Sequence, residues 1–285
     1  MATLADEVRT LSGRATLPWG DDGGVLSMDA VRKLARQHGV SGRIVEIEAL
    51  KQGVSPLRYL RNQQAISGSE QIRLLESRVG QVGLGGLGGT LLEQFLRAGV
   101  GTVRCADGDA FEESNLNRQA LSSPDNLGQT KADAARERAM AINPSVDMEP
   151  VETFLTPDTL PEFLNGCDVA VDALGGLETR LHLQQAAAEA GLPLVTGALA
   201  GWSGYVGVVM PGDTGPADIM GRDNGAEETL GCPAPSVAFF ASLMATETLK
   251  LITIGRSPLA GKMLVVDMQT MTFETVIIGK SVSYP

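Results

Sequence analysis

Apolar residues follow strand spacing and helix spacing in turn from Arg78 onward. Val79 and Val82 predict a short buried strand. Beyond them, apolar residues recur at helical spacing up to Gly99, a residue type that often ends a helix. A second strand is predicted at 101–106. The apolar positions of the intervening helix are Leu87, Leu91, Leu92, Phe95 and Leu96.

The same alternation continues almost to the end of the chain. It predicts helices at 129–142, 177–190 and 237–252, and strands at 168–174, 192–197, 205–210, 263–266 and 272–278. Alternating strands and helices are typical of an α/β fold with a doubly wound, mostly parallel sheet. The strands near the C-terminus predict an antiparallel far side of this sheet.

The first 55 residues differ from this pattern and predict a small helical N-terminal extension, followed by one domain at 56–285. Helices are expected at 28–38 and 44–51, and the extension is expected to pack on the main domain or to exchange onto a neighbouring molecule. By composition, 56–64 is a solvated linker, although it carries Arg58, Tyr59 and Arg61. The segment 211–233 has little periodicity, which predicts either a functional lid or a disordered loop.

Composition narrows the class of protein. With 285 residues, of which 43% are hydrophobic, the chain can bury a sizeable core. A net charge of −11 disfavours nucleic-acid binding, which depends on Lys and Arg. We find no secretion signal and no apolar run approaching the roughly 18 residues of a membrane span, so we expect a cytoplasmic protein with no membrane association. Cys105, Cys167 and Cys232 are isolated, and we expect reduced thiols.

The turn after the first predicted strand has the chemistry of a nucleotide site. Gly83, Gly85 and Gly88 form a G-x-G-x-x-G pattern, in which glycines allow a tight turn and a close approach to phosphate. The helix that follows attracts anions with its N-terminus. Asp107 and Asp109 end the second strand about 20 residues later, where a ribose-binding carboxylate is expected.

Polar residues follow this second strand. Asn115, Arg118, Gln119 and Lys131 supply two amides and two cations near the carboxyl end of the sheet, where open α/β sheets bind ligands. Arg and Lys in this position can bind phosphates and balance charge on a leaving group. The composition of this segment also fits a solvated polar loop, so the residues alone leave both interpretations open.

Five motifs occur in order along this part of the chain. They are G-x-G-G-L-G, D-x-D, S-N-L-N-R-Q, G-x-x-K and I-N-P. Together they resemble the adenylation domain of the ThiF/MoeB/HesA family, bacterial relatives of ubiquitin-activating enzymes. The resemblance extends from Pro56 to Ile278 and implies a Rossmann-like fold.

The resemblance implies that the C-terminal carboxylate of a ubiquitin-like sulfur carrier, of the ThiS or MoaD kind and ending in Gly-Gly, attacks the α-phosphate of ATP. By motif position, Asp107 would hold the ribose, and Arg61 would reach the phosphates of the other subunit in a homodimer. The residues that would line the nucleotide are Gly83, Gly85, Gly86 and Gly88. Those that would orient the triphosphate are Asn115, Arg118, Gln119 and Lys131.

The chain departs from the family pattern at the metal site. Relatives carry a metal-binding aspartate three residues beyond the strand-end Asp172, where this chain has Gly175, although Arg180 stays in register. Mg²⁺ would then be held by Asp172, by Glu178 or by the triphosphate itself. Of these we select Asp172 as the metal ligand, since Mg²⁺ commonly uses only one or two protein carboxylates.

Two further departures concern cysteine. The paired C-x-x-C motifs of many relatives are missing, so we predict no structural zinc. The thiol expected before the late helix is also missing, because its position lies near Glu227. Cys232 follows a few residues later and is interpreted as an inert thiol, with a thioester or persulfide nucleophile as the alternative. His182 is expected on a helix surface.

The sequence therefore favours an adenylyltransferase but leaves two other hypotheses. Gly175 fits a member of the family that binds nucleotide or carrier without turnover. The glycine turn alone would also fit an NAD-dependent dehydrogenase, which the S-N-L-N-R-Q motif and Lys131 disfavour. The motifs do not distinguish thiamine from molybdenum-cofactor synthesis, nor do they exclude a carboxylate or carbonyl such as the one used by relatives that modify tRNA.

Overall fold

The structure is a computed structural model that describes residues 2–18, 20–220 and 229–279; within these ranges the side chains of residues 177 and 178 lie outside the description. The first part of the chain forms a lobe with its own hydrophobic core, which includes Leu26, Leu34 and Val45. Its elements are α1 (Leu4–Leu11), β1 (Gly13–Thr16), β2 (Asp22–Leu26), α2 (Met28–His38), α3 (Gly42–Lys51) and β3 (Val54–Pro56).

The sequence predicted a helical N-terminal extension, but this lobe contains a sheet as well as helices. β1 and β2 pair antiparallel, and β3 pairs parallel to β2, which gives a three-stranded sheet. The hairpin is closed by a hydrogen bond from the Leu17 N–H to the Asp21 carbonyl and by Gly20 in the left-handed region. Strands this short and rich in glycine have no apolar alternation, which is why the pattern missed them.

The segment expected to be a solvated linker is instead anchored. Leu57–Asn62 forms a 3₁₀ helix in which Tyr59 is completely buried. The Asn143 Nδ2 donates to the Tyr59 hydroxyl at 3.0 Å, and this hydroxyl donates to Glu46 at 3.3 Å. The linker therefore ties the N-terminal lobe to the domain that follows.

The main domain contains an eight-stranded sheet. Its strands are β4 (Arg78–Val82), β5 (Thr102–Ala106), β6 (Asp147–Val151), β7 (Val169–Asp172), β8 (Leu194–Ala200), β9 (Ser203–Val209), β10 (Lys262–Asp267) and β11 (Thr272–Ile277). They lie in the order β11-β10-β9-β8-β7-β4-β5-β6. The five strands from β8 to β6 are parallel, and antiparallel pairs join the remaining three to β8 and to one another. The predicted doubly wound sheet with an antiparallel far side is confirmed.

Helices pack on this sheet around the main core. They are α4 (Gly68–Glu76), α5 (Gly86–Ala98), α6 (Lys131–Ile142), α7 (Leu160–Leu164), α8 (Leu177–Glu189), α9 (Pro216–Ile219) and α10 (Ala234–Ile254). The short helix α9 lies in the segment predicted to be a lid or a disordered loop, and residues 221–228 of that segment lie outside the described residues.

The helix α10 corrects the expectation that no apolar segment of the chain approaches the length of a membrane span. Its 21 residues have a mean hydropathy of 1.5 in the most apolar window, so by length and composition it could span a membrane. Half of that window is buried inside the protein, where α10 packs against α5 and β8. The helix serves as a core element of the domain, as its apolar face predicted.

Candidate functional site

A cavity of about 410 Å³ opens at the carboxyl ends of β4, β5 and β7. Neighbouring parallel strands end at the same edge of a sheet, so the polar residues that follow them meet there. Lining residues come from the glycine turn, from the segment after β5, from 173–176 with 179 and 180, and from the start of α10. The sequence placed the nucleotide site at this edge.

Two glycines shape the turn because no side chain fits at their positions. Gly83 has φ of +101°, and a Cβ there would lie 2.4 Å from the Ala173 carbonyl oxygen. A Cβ on Gly88 would lie 2.0 Å from the Gly83 carbonyl oxygen. Gly83 lines the cavity together with Gly85 and Gly86 at the N-terminus of α5, whereas Gly88, also predicted to line the nucleotide, does not. The helix therefore begins one residue earlier than its apolar pattern indicated.

Gln81 holds this turn in place. It is fully buried in β4, and its Nε2 donates to the carbonyls of Gly83 and Gly88, each at 2.9 Å. A single amide group thus binds the carbonyls of the first and third glycines of the motif. The sequence analysis missed it, although a polar residue inside an apolar strand next to a glycine turn was the available signal.

Asp107 lies at the end of β5 and is almost completely buried. One oxygen, Oδ2, accepts from the Leu84 N–H of the glycine turn at 2.7 Å, and the other, Oδ1, accepts from the Asp109 N–H at 2.9 Å. A carboxylate has about four acceptor positions, so capacity remains for two hydroxyl groups. The placement of Asp107 beside the turn and in the cavity lining suits a ribose.

Lys131 is the first residue of α6 and is buried beside Asp107. Its Nζ donates to Asp109 Oδ2 at 2.8 Å and lies 3.6 Å from Asp107 Oδ1. The Thr130 side chain caps the helix by accepting from the Asp133 N–H. The ammonium group is therefore held by two carboxylates at the floor of the cavity, within reach of an anionic ligand.

The other three residues of the predicted phosphate cluster differ in position. Arg118 lines the cavity, and its guanidinium donates to the Ser114 carbonyl and to Asn117 Oδ1, both at 3.0 Å. Gln119 lines it too and is buried, but its Oε1 has no hydrogen-bond partner among the described residues. Asn115 does not line the cavity, because its Oδ1 accepts from the Glu112 N–H and shapes the loop.

Arg61, predicted to act across a dimer, lies outside this cavity. It is exposed on the 3₁₀ helix and forms no ion pair with any residue that the structure describes. Its neighbour Arg58 is instead bound to Glu46 and to the Ile142 carbonyl. Within one chain, therefore, only Arg61 of these two arginines is available to another molecule.

The predicted metal ligand is enclosed by other side chains. Asp172 is 1% exposed, its Oδ1 accepts from the Leu174 N–H at 3.0 Å, and its Oδ2 accepts from Thr196 at 2.6 Å and from Arg180 at 3.1 Å. It does not line the cavity. Gly175 does line it, but offers no ligand atom on a side chain. Because both oxygens of Asp172 already accept from donors within the protein, this carboxylate does not fit an Mg²⁺ site.

The three cysteines differ in their position relative to the cavity. Burial raises the pKa of the Cys105 thiol to about 12 and that of the Cys167 thiol to about 11, which opposes thiolate chemistry at both. Cys232 lies in the cavity lining before α10 and is half-buried. The position near Glu227 lies outside the described residues. His182 is half-buried on α8.

Comparison with known proteins identifies relatives of this chain. The model of the ThiF family matches residues 59–283. The SAMP-activating enzyme E1 of Haloferax volcanii is 34% identical over 224 residues, which is 72% of this chain and 78% of that protein. The sulfur carrier protein ThiS adenylyltransferase of Bacillus subtilis is 36% identical over 205 residues, or 69% of this chain and 61% of the longer relative.

Among solved structures, the crystal structure of PaaA has a TM-score of 0.67 and 25% identity, covering 90% of this chain and 76% of that one. One of the two sequence relatives is an adenylyltransferase and the other an activating enzyme, which confirms the predicted class of enzyme. The family match covers most of the chain, including the glycine turn, the segment after β5 and α10. The chain therefore belongs to the ThiF family.

Proposed function

We propose that this protein binds ATP in the cavity and uses it to adenylate the C-terminal carboxylate of a ubiquitin-like sulfur carrier of the ThiS or MoaD kind. The observation that carries the proposal is the position of Asp107. Its carboxylate is bonded to the glycine turn and lies beside Lys131 in the cavity lining. Ribose hydroxyls and phosphates require such a pairing of an acceptor with a cation.

In this reaction a carrier carboxylate oxygen attacks the α-phosphorus of ATP. A P–O bond to the carrier forms, the bond to the β-phosphate oxygen breaks, and pyrophosphate leaves with the electron pair. No proton is transferred, because the nucleophile is already ionised. The protein supplies position and charge, which are the principal contributions to phosphoryl-type transfer.

Each cavity residue then has a defined task. Asp107 accepts from the ribose hydroxyls, and the N–H groups at the start of α5 face a phosphate. Arg118 can turn from its neutral oxygen partners towards the triphosphate, and Gln119 can use its free Oε1 as an acceptor. We further propose a homodimer in which Arg61 of each subunit completes the site of the other, since an isologous dimer exchanges such residues in pairs.

The test is carrier-dependent exchange of labelled pyrophosphate into ATP, with a purified ThiS and a purified MoaD as probes. We expect exchange with one of them and none with the same carrier lacking its C-terminal Gly-Gly. Asp107→Asn should weaken ATP binding about tenfold or more, because bonds to a charged acceptor are stronger than those to a neutral one. ATP binding that is unchanged in Asp107→Asn would contradict this site.

Gly175 supports a second candidate function. A chain without the metal-binding aspartate could bind ATP or carrier without turnover. Under this alternative, ATP binds to the protein and the carrier forms a complex with it, yet no exchange occurs with either probe. Exchange above the level of a reaction without carrier rules out the alternative.

A further inference from the structure

Among the described residues, the end of β7 offers no carboxylate that is free to hold a metal ion. We propose that this protein binds the phosphates of ATP without a metal ligand of its own, so that its affinity for ATP does not depend on Mg²⁺. The inference rests on the proposed function, because it concerns the same cavity. It replaces the expectation that Asp172 holds the metal.

Asp172 is committed to internal bonds. Its two oxygens accept from three donors, the Leu174 N–H, the Thr196 hydroxyl and the Arg180 guanidinium, and its side chain is 1% exposed. To bind Mg²⁺ it would have to abandon the buried Arg180. Leaving the buried guanidinium of Arg180 without its carboxylate partner is strongly unfavourable. Asp172 is therefore a positioning residue for the loop that follows it.

Gly175 leaves the usual metal position open. A Cβ built on this residue meets no heavy atom within 4 Å, and the backbone does not require glycine there. A side chain would therefore fit, which makes the position a natural site for restoring a carboxylate. Gly175 also lies in the cavity lining, so that an added carboxylate would stand close to the phosphates of a bound nucleotide.

Two carboxylates remain among the described lining residues, and the Lys131 ammonium group lies close to both. Its Nζ lies 2.8 Å from Asp109 Oδ2 and 3.6 Å from Asp107 Oδ1. A cation placed between these oxygens would meet the buried ammonium group at close range, and like charges at such a distance repel. The pair therefore offers Mg²⁺ no site unless Lys131 leaves.

Positive charge is available from the protein instead. Arg118 lines the cavity, and the bonds its guanidinium makes within the described chain go to neutral oxygens. The N-terminus of the 13-residue helix α5 faces the same space through Gly85 and Gly86. These groups can compensate phosphate charge directly.

The experiment measures ATP affinity of the full chain by isothermal titration calorimetry, once with Mg²⁺ and once with EDTA. We expect the two dissociation constants of the wild type to agree within about threefold. In Gly175→Asp the added carboxylate repels free triphosphate and attracts Mg²⁺, so ATP should bind at least about tenfold more tightly with Mg²⁺ than with EDTA. Gly175→Asn, with a side chain of the same size and no charge, should behave as the wild type does.

Glu178 needs its own control because its side chain lies outside the described residues. Wild-type affinity that falls about tenfold in EDTA overturns the inference. If Glu178→Gln then removes that dependence, Glu178 is the metal ligand. Such a result leaves the proposed function intact, since ATP still binds and exchange can still be measured. Absence of ATP binding in both buffers overturns the inference and the proposed function together.

Discussion

The two ends of the parallel sheet use family motifs in opposite ways. At the carboxyl end, Asp107 and Gln119 keep hydrogen-bonding capacity that faces a cavity. At the amino end, the Tyr59 hydroxyl accepts from the Asn143 of the I-N-P motif and donates to Glu46, with all three residues buried. One set of motif residues is open to a ligand, and the other is closed within the protein.

This contrast shows that motif membership alone does not indicate contact with a ligand. Asn143 donates to the Tyr59 hydroxyl and to the Leu96 carbonyl, so it joins the end of α5 to the linker. Gly99 belongs to the same contact, because a Cβ there would lie 2.6 Å from the Tyr59 hydroxyl oxygen. The amino-end motifs thus fix the N-terminal lobe against the domain, and the carboxyl-end motifs form the cavity.

Asp172 is the strongest test of this contrast. It lies at the carboxyl end of the sheet, but like the amino-end residues it is buried and bonded within the protein. Asp172→Asn removes the carboxylate beside the buried Arg180, and the free energy of unfolding should fall by about 3 to 5 kcal/mol. Urea denaturation measures this loss. ATP affinity of the folded variant should stay within about threefold of the wild type. A stable variant that no longer binds ATP would return Asp172 to the ligand-facing set.

Glu46 should make the amino end sensitive to pH. Burial raises the pKa of this carboxyl to about 7 and outweighs the nearby Arg58, which lowers it. The folded protein then keeps a proton that the unfolded chain releases near pH 4.5, so stability from this group falls as the pH rises from about 4.5 to about 7. The slope is about 1.4 kcal/mol per pH unit, or roughly 3 kcal/mol across the window.

Urea denaturation at several pH values, with Glu46→Gln as the reference, isolates this contribution. The difference between the two proteins should change across the window and level off above it. Parallel stability profiles would show that Glu46 does not take up a proton on folding. ATP affinity is expected to be the same in both proteins, because Glu46 lies at the other end of the sheet from the cavity.

A single substitution at Asn143 tests whether the amino end affects stability without affecting ATP binding. Asn143→Ala leaves the Leu96 carbonyl and the Ser145 N–H without their partner, which should cost about 2 kcal/mol of unfolding free energy. The matched control is Asn115→Ala, where one loop N–H loses a partner near the surface, and we expect less than about 1 kcal/mol. An Asn143→Ala protein of normal stability but weak ATP affinity would remove the distinction between the ends.

Local patterns predicted seven of the eight strands of the sheet, because strand and helix spacing are properties of a few consecutive residues. The glycine turn and Asp107 were located for the same reason. These patterns missed β6, the edge strand, whose residues have no buried apolar alternation. The sequence could not distinguish the environments of Asp107 and Asp172, because each lies at the end of a strand. What distinguishes them is Arg180 and Thr196, which fold onto Asp172 from other elements.

Distance along the chain also explains the N-terminal errors. The burial of Tyr59 depends on Asn143, which lies 84 residues away, and no pattern within the linker reports it. The sheet of the N-terminal lobe joins β2 to β3 across two helices through strands of three to five residues. Such pairings become visible only when the chain is folded.

The smallest predicted effect compares two buried glutamines of the carboxyl end. In both, Oε1 has no partner in the described part of the chain, but Gln81 Nε2 donates to two carbonyls of the glycine turn. Gln119→Met should therefore leave stability unchanged or raise it by up to about 1 kcal/mol, because an unsatisfied buried polar group is removed. If Gln119 bonds to the nucleotide, ATP affinity should fall about three- to tenfold.

Gln81→Met, the matched control, should instead lose about 1 to 2 kcal/mol of stability, as two turn carbonyls lose their donor. Calorimetry with ATP and urea denaturation of both variants decide the matter: equal stability losses would place Gln119 with the closed residues, and the open end of the sheet would then consist of Asp107 and its cations alone.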